Sequence, residues 1–491
     1  MTRRRGAALF CLGLVLGTLS VSPAGAHVGG SVAHLWKHLR PLASKVFYTK
    51  AQSNARYYPK ADADARFAAR GDVDGRFYTK AESDGRYYSR NDSDGRYYTK
   101  PDADLRFELK GQGGQTFQSY CTRAAANPRS YPQEPCTAGL AVTLDAAGVV
   151  GEFTSVAIGA DGMPILSYRD VTNNDLKIVH CGNAACTGGN LVAPLDTGGT
   201  VGADTSLAIG TDGLPVVSYR DASNDSLKML HCGDVTCSAG NVATTVDNGF
   251  VGSDTSIAIG ADGFPVVSYF DGSNSDLKVL HCGNASCTSG NQATTADPGI
   301  AVVGYDTSIA IGSDGLPVVS YYDQTNSDLK VLHCGNASCT SGNAVTAVDS
   351  LQAVGESTSL AIGTDGLPVV SYRDASNGDL KVLHCGNAAC TAGNQATGVD
   401  SVAPFLGYDT SIAIGTDGFP LVSYYDAGSE NLKFLSCGNA ACTSGNEAIT
   451  VDSAGLVGRF TSLAVGMDGL PVVTYFDETN GDLKLARPPV S

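Results

Sequence analysis

A motif of 50–52 residues recurs seven times with few letters changed, and this constrains the fold more than any other feature of the chain. Its Ser-x-Ala start falls at Ser155, Ser206, Ser256, Ser308, Ser359, Ser411 and Ser462. Each copy divides into four segments with strand character. The first, TSIAIG, alternates with period two, and an Asp-Gly such as Asp212-Gly213 then marks a tight hairpin. PVVSY is β-branched and aromatic, DLKVLH alternates again, and the stretch behind the second Cys is the fourth segment. Four-stranded units at this spacing are the sequence signature of β-propeller blades.

The two ends of the array complement each other. The seventh copy stops at DLKLARPPVS and lacks its fourth strand. The segment from Cys136 to Asp145, just ahead of the first copy, matches the missing piece. The expected fold class is therefore all-β: a seven-bladed propeller of twenty-eight strands, with an N-terminal outer strand completing the last blade. Closure removes the free sheet edges that an open array would leave. Composition agrees, with 59 Gly in 491 residues against one Trp and four Met, as in a turn-rich β protein.

Six copies carry Cys-x4-Cys: Cys181/Cys186, Cys232/Cys237, Cys282/Cys287, Cys334/Cys339, Cys385/Cys390 and Cys437/Cys442. Each pair flanks the turn between strands three and four, so cross-hairpin disulfides are expected. Cys136 aligns with a second Cys, and Cys121 is its expected partner in the seventh blade. A His precedes the first Cys at His180, His231, His281, His333 and His384, which offers a rival zinc reading. Neighbouring strand residues point to opposite faces, so such a His and Cys do not converge easily, and the sixth copy has Ser436 instead.

Ahead of the blades the chain changes character. Arg3, Arg4 and Arg5 precede an apolar stretch from Gly6 to Val21, and Ala24-Gly25-Ala26 follows as a cleavage pattern. This reads as a secretory signal peptide over residues 1–26, with Cys11 inside its apolar region. The remaining fourteen Cys then face an oxidising compartment, where disulfides are the default. Residues 27–110 hold 16 Lys/Arg against 11 Asp/Glu, while residues 111–491 hold 14 against 38. The formal net charge of −16 argues against a nucleic-acid partner. Past the leader, no apolar run is long enough for a transmembrane helix.

A ten-residue repeat runs from Phe47 to Phe107, opened by Phe47, Tyr57, Phe67, Phe77, Tyr87, Tyr97 and Phe107 and closed by Arg56 through Arg106. One such unit cannot bury its own aromatic residues. The array resembles the YTKA-type repeats of phage tail fibres and some secreted bacterial proteins, and that resemblance implies a stalk forming a homotrimer. The expected layout is a signal peptide (1–26), a basic linker (27–46), the decapeptide stalk (47–110), a linker (111–120) and the propeller (121–491). In the basic linker, His34 and His38 lie four apart around Trp36, a spacing that suits either a metal or a polar helix face.

Strand one should line the central channel, and one face should collect VGxDT and YxDxxN from every blade. At the channel mouth this places Asp204, Asp254, Asp306 and Asp409, with Glu152 and Glu356 one position earlier. An acidic ring there suits sugar hydroxyls or calcium, both of which take oxygen ligands; the alternative is that each Asp caps its own loop. Asp170, Asp221, Asp271, Asp323, Asp374, Asp426 and Asp477 occur in all seven copies, as architectural residues do. Departures from the repeat are more informative. Phe153 and Phe460 replace the ring Asp in blades one and seven, and Glu152 and Arg459 beside them are a candidate pair. Arg169, Arg220 and Arg373 stand where other blades have Phe or Tyr.

Three arginines are similar to the carboxylate-gripping set of sialidases, but the sialidase box S-x-D-x-G-x-x-W is absent, as are integrin-type DxDxDG calcium loops. Glycoside hydrolysis also needs two carboxylates in different environments, and no such pair stands out. The blades resemble secreted bacterial propeller repeats of the type TSxAxxxxGxPxxSYxDxxNxDLK. That resemblance covers most of residues 136–485 and implies a fold, not an activity. The expected function is secreted, non-catalytic binding or adhesion, toward a glycan or a surface protein, with no cofactor other than a candidate calcium. The alternatives are a sugar-active enzyme (glycosidase, sialidase-like or lyase) and a structural envelope protein.

Overall fold

The computed structural model of the protein describes residues 141–401 and 405–490. The leader, the decapeptide array and the Cys121–Cys136 pairing lie outside these residues. The first described strand is β1 (Val142–Asp145). Blade one follows as β2 (Val150–Ile158), β3 (Pro164–Asp170), β4 (Asp175–His180) and β5 (Leu191–Asp196). Blades two to six repeat this order from β6 (Val201–Ile209) to β25 (Glu447–Asp452). Blade seven comprises β26 (Val457–Val465), β27 (Pro471–Asp477) and β28 (Asp482–Ala486), and β1 pairs with β28 as its outer strand. The result is seven antiparallel four-stranded sheets closed into a ring, and the first strand of blade one packs on that of blade seven.

Burial explains why each segment takes its place. The second strand of every blade is covered on both sides by neighbouring blades, so it reads as a continuous apolar run; in β3 only Arg169 is more than slightly exposed. The fourth strand lies at the rim and alternates with mostly exposed residues, as in β5. The apolar cores lie between blades. Val472, Leu483 and Leu485 of blade seven pack with Val150, Val156, Leu166 and Tyr168 of blade one. Fully burying one such aliphatic side chain contributes about 1.5–3 kcal/mol.

Polar contacts also run from blade to blade. Tyr168 Oη donates to Asp145 Oδ2 at 2.6 Å, and Lys177 Nζ reaches the same oxygen at 2.5 Å. Asp145 belongs to blade seven and its two partners to blade one, so this triad fastens the closure. The same triad recurs at each junction, for example Asp452 with Tyr475 and Lys484. Burial works against the charge on Asp145, but the hydrogen bonds from Lys177 and Tyr168 outweigh it and hold the carboxyl below its usual range. Nearer the axis, the Thr-Ser of the repeat forms a second seam. Ser155 Oγ accepts from Leu207 N at 3.0 Å, and Thr154 Oγ1 shares a 2.7 Å hydrogen bond with Thr474 across the closure.

Six disulfides are formed in the predicted pairs: Cys181–Cys186, Cys232–Cys237, Cys282–Cys287, Cys334–Cys339, Cys385–Cys390 and Cys437–Cys442. The expectation that they cross a hairpin is corrected. Cys186, Cys237, Cys287, Cys339, Cys390 and Cys442 belong to no strand; each sits in the connecting loop, five residues ahead of the fourth strand. All six take φ between 50° and 53°, and each donates its N–H to the carbonyl three residues back, as Cys237 does to Asp234, Cys287 to Asn284 and Cys390 to Asn387. That turn carries the second Cys back over the first, so each bridge closes a short loop rather than joining two strands. Asn190 completes the loop of blade one, accepting from Gly182 N at 3.1 Å and donating to the Cys186 carbonyl at 2.7 Å.

The histidines turn away from the cysteines: His180 Nε2 lies 2.8 Å from Asp161 Oδ2 in the turn between strands one and two. Among the described residues, no group of three or more His, Cys, Asp or Glu is placed to hold a metal ion. Nor does any helix among them have the length and apolarity to cross a membrane. The disulfides place the folded chain in an oxidising, extracytoplasmic setting.

Candidate functional site

The first strand carries two bulges in every blade but the sixth, whose shorter strand β22 (Tyr408–Ile414) carries only the second. In β2, Val150 faces Asp170, Glu152 faces Arg169 and Ser155 faces Ser167, so β2 spends an extra residue at each step. The first bulge needs Gly151, at φ 104°, where a Cβ would come within 2.8 Å of the Leu483 backbone. The second puts the next residue but one into the left-handed region. Phe153, Asp204, Asp254, Asp306, Ser357, Asp409 and Phe460 all have φ between 49° and 53°. Asp tolerates this conformation, whereas Phe does so only under constraint from its surroundings.

These seven residues, with the seven Thr that follow them, line a central cavity of about 190 Å³. The channel has two unlike walls. Phe153 and Phe460 meet across the closure with ring centroids 4.5 Å apart, and Phe476 lies 6.3 Å from Phe460. The four Asp occupy the rest of the ring, interrupted by Ser357.

The ring carboxylates do not cap their own loops. Asp306 Oδ2 accepts from Ser357 N at 2.9 Å, and Asp409 Oδ2 accepts from Phe460 N at 3.2 Å, each in the next blade. Asp204 and Asp254 accept in the same way from Asp254 and Asp306. Enclosure in a narrow channel raises all four carboxyls. Asp204 is pushed up to about 6 by burial, against the opposing pull of Arg220. Burial likewise brings Asp306 to about 6, with Asp409 and Glu356 adding to the shift. Asp254 rises well above the ordinary carboxylate value through burial and through its neighbours Asp306 and Asp204, and Asp409 rises through burial. The channel therefore gathers acids that protonate readily, and they can donate or accept hydrogen bonds near pH 6.

Outside the ring, each blade presents one cross-strand pair at the channel mouth: Glu152 with Arg169, Ala203 with Arg220, Ser253 with Phe270, Tyr305 with Tyr322, Glu356 with Arg373, Tyr408 with Tyr425 and Arg459 with Phe476. Glu152 and Glu356 thus stand one position before the cavity lining and bind the arginines of their own blades, Arg169 at 3.3 Å and Arg373. One expectation is corrected: Glu152 does not pair with Arg459, which instead meets Glu478 at 3.4 Å. Bulging turns the Glu and the following Phe in different directions, so adjacency in sequence does not put both in the channel. The three arginines come from three blades. Arg169 and Arg220, in adjacent blades, both act on Asp204, and Arg373 of blade five lies over the Tyr408 face at 4.0 Å.

Several structural roles were not read from the sequence. The terminal Asp of each fourth strand, the Thr-Ser seam and the His–Asp pairs all recur in the repeat, and that recurrence was the available signal. Their partners lie in the next blade or across the blade, so no local pattern identifies them.

No protein-family model matches the chain, and no curated protein matches it. Among solved structures, it is similar to a protein of unknown function from Dyadobacter fermentans, at 12% identity and a TM-score of 0.44, covering 72% of this chain and 98% of that one. An alpha-L-arabinofuranosidase from Fusarium graminearum gives 12% identity and a TM-score of 0.44, with 72% and 98% covered. The intramolecular trans-sialidase from Ruminococcus gnavus gives 11% and 0.39, with 71% and 96% covered.

Proposed function

We propose that the protein is a secreted, non-catalytic binding protein that recognises carbohydrate or a surface protein through the channel-mouth face of its propeller. One observation carries this reading. The seven copies agree where side chains tie blade to blade, and they differ at the cross-strand pairs of this face, most of whose side chains are partly accessible. A framework held constant beneath varied side chains suits recognition, and seven related positions suit repeated weak contacts whose avidity exceeds any single affinity. In this reading residues 1–26 direct export, residues 47–110 form a stalk that can trimerise, and residues 121–491 form the binding head.

The carboxyls of the channel suit sugar hydroxyls better than calcium, because each already accepts a backbone N–H and none belongs to a metal-sized cluster among the described residues. A sugar-active enzyme is the second reading, and the raised carboxyls of Asp204 and Asp306 favour it. Against it, hydrolysis pairs a neutral acid with an ionised carboxylate, and all four ring acids shift the same way. Glycan-array binding of the full chain, in calcium and again in EDTA, tests both readings. Saturable binding without turnover, weakened when Asp204, Asp254, Asp306 and Asp409 become Asn, supports the first. Release of sugar from any bound glycan would replace it with the second.

A further inference from the structure

The arginines of blades one and five each face a Glu across the strand pair; in blade two that position is Ala203. Arg220 therefore lacks the cross-strand Glu that Arg169 and Arg373 hold. Among the described residues, its one hydrogen bond to a side chain, to the exposed Asp225, is 3.2 Å long, and its Nε, like those of the other two, is buried without a partner. The guanidinium carries five donors, so that one bond leaves capacity for a ligand. The corresponding residue of blade three, Ser253, is also small, whereas the other blades have Glu, Tyr or Arg. The rim is thus lowest over blades two and three.

Phe250 borders this gap. Its side chain is half exposed, it takes φ 53°, and its ring lies 5.2 Å from the Arg220 guanidinium. The ring rests on Gly272, where an added Cβ would come within 2.2 Å of it. A large apolar side chain held in the left-handed region with half its surface in water gains little from folding. It is well placed as a platform for the apolar face of a ligand.

We infer that Ala203, Arg220, Ser253 and Phe250 form a binding site for one neutral pyranose residue of a glycan, at the junction of blades two and three. The chemistry selects a neutral ring. An anionic sugar would meet Asp204 and Asp254, for both of which Arg220 is a nearby countercharge, and a cationic one would meet Arg220 itself. A neutral pyranose offers hydroxyls to Arg220 and a C–H face to Phe250. This inference rests on the carbohydrate reading above.

The test is glycan-array binding by the full-length chain and two variants, A203E and F250A. A203E rebuilds in blade two the Glu–Arg pair with which blades one and five already fold, so it fills the gap without disturbing the sheet. Binding of neutral glycans should fall about tenfold or more in A203E, with a smaller loss in F250A, at unchanged thermal midpoints. Wild-type binding that both variants retain would overturn this site and leave the carbohydrate reading standing. Binding confined to charged glycans would overturn the neutral assignment. A folded wild-type chain that binds no glycan would remove the carbohydrate reading, and this site with it.

Discussion

The channel-mouth face and the disulfide face are made by the same seven repeats, and they use repetition in opposite ways. On the disulfide face, blades one to six carry nearly the same CGNxxCTxGN loop, closed by the same asparagine bonds and by a buried bridge. Only small exchanges occur, such as Asp234 for Asn. On the channel-mouth face the backbone is nearly uniform, with the same second bulge and a left-handed residue in all seven blades, but the side chains vary from Glu–Arg to Tyr–Tyr. Where all copies share a residue, its partners lie within the framework. Where copies diverge, the side chains line the channel or its mouth, and several, such as Phe270 and Tyr425, are buried there. Divergence on a uniform backbone marks the residues that the framework does not require.

The first way to break that contrast is at the closure. Asp145→Asn removes the nearer of the two carboxylates that face the largely buried Lys177, the other being Asp170 at 3.5 Å, and stability should fall by about 2–3 kcal/mol. Urea unfolding would measure it. A loss under about 1 kcal/mol would mean that the blade-to-blade triads are ornamental. Replacing both Cys334 and Cys339 by Ser should cost roughly 2 kcal/mol, the entropy of a loop closed over a sequence separation of five. An unchanged urea midpoint in that variant would show that the loop hydrogen bonds suffice.

The two sets of acids sharpen the contrast by pH. Asp204 and Asp306 have folded values near 6, above their unfolded value of 3.8. Their contribution to stability is therefore complete below about pH 4 and lost as pH rises through 6. Asp145 and Asp452 are held below the ordinary value, so their contribution is present above about pH 4 and lost as pH falls below it. D204N/D306N should thus raise stability at about pH 7.5 by about 1–2 kcal/mol and flatten its change between about pH 4 and 6. Thermal midpoints across that range decide the matter, and a double variant less stable than wild type at the upper end would contradict it. The smallest effect belongs to the rim. Arg459 and Glu478 are each 42% exposed, and E478A should change stability by less than about 0.5 kcal/mol. A larger loss would give that rim pair a structural role.

Much of the fold was legible because its signals are local. Period-two alternation, Asp-Gly turns and paired Cys lie within a few residues of one another, and seven repetitions remove the ambiguity of any single copy. The complementary ends even specified the closure, which β1 and β28 carry out as expected. The cysteine pairs were legible, but the shape of their loop was not: the left-handed turn at Cys237, Cys287, Cys390 and their counterparts depends on backbone angles that spacing alone does not reveal. The site was legible in part. Its ring of Asp and the two Phe at the closure lie where the repeat pattern placed them, around the channel. The partner of Glu152 was not legible, because nothing in its neighbourhood announces a double bulge, which only the pairing with β3 reveals.

The sequence by itself determined the number of blades, the order of strands, the six loop bridges and the strand that closes the ring, because each depends on short-range patterning counted along the chain. The tertiary structure alone decided who meets whom. Tyr168 and Asp145 lie 23 residues apart yet in different blades, and Asp306 caps a backbone 51 residues away. Such pairs exist only once the ring has closed and set each sheet against the next. The same closure encloses four carboxyls in one channel and leaves Arg220 facing Ala203, and side-chain identity without position could not foretell either.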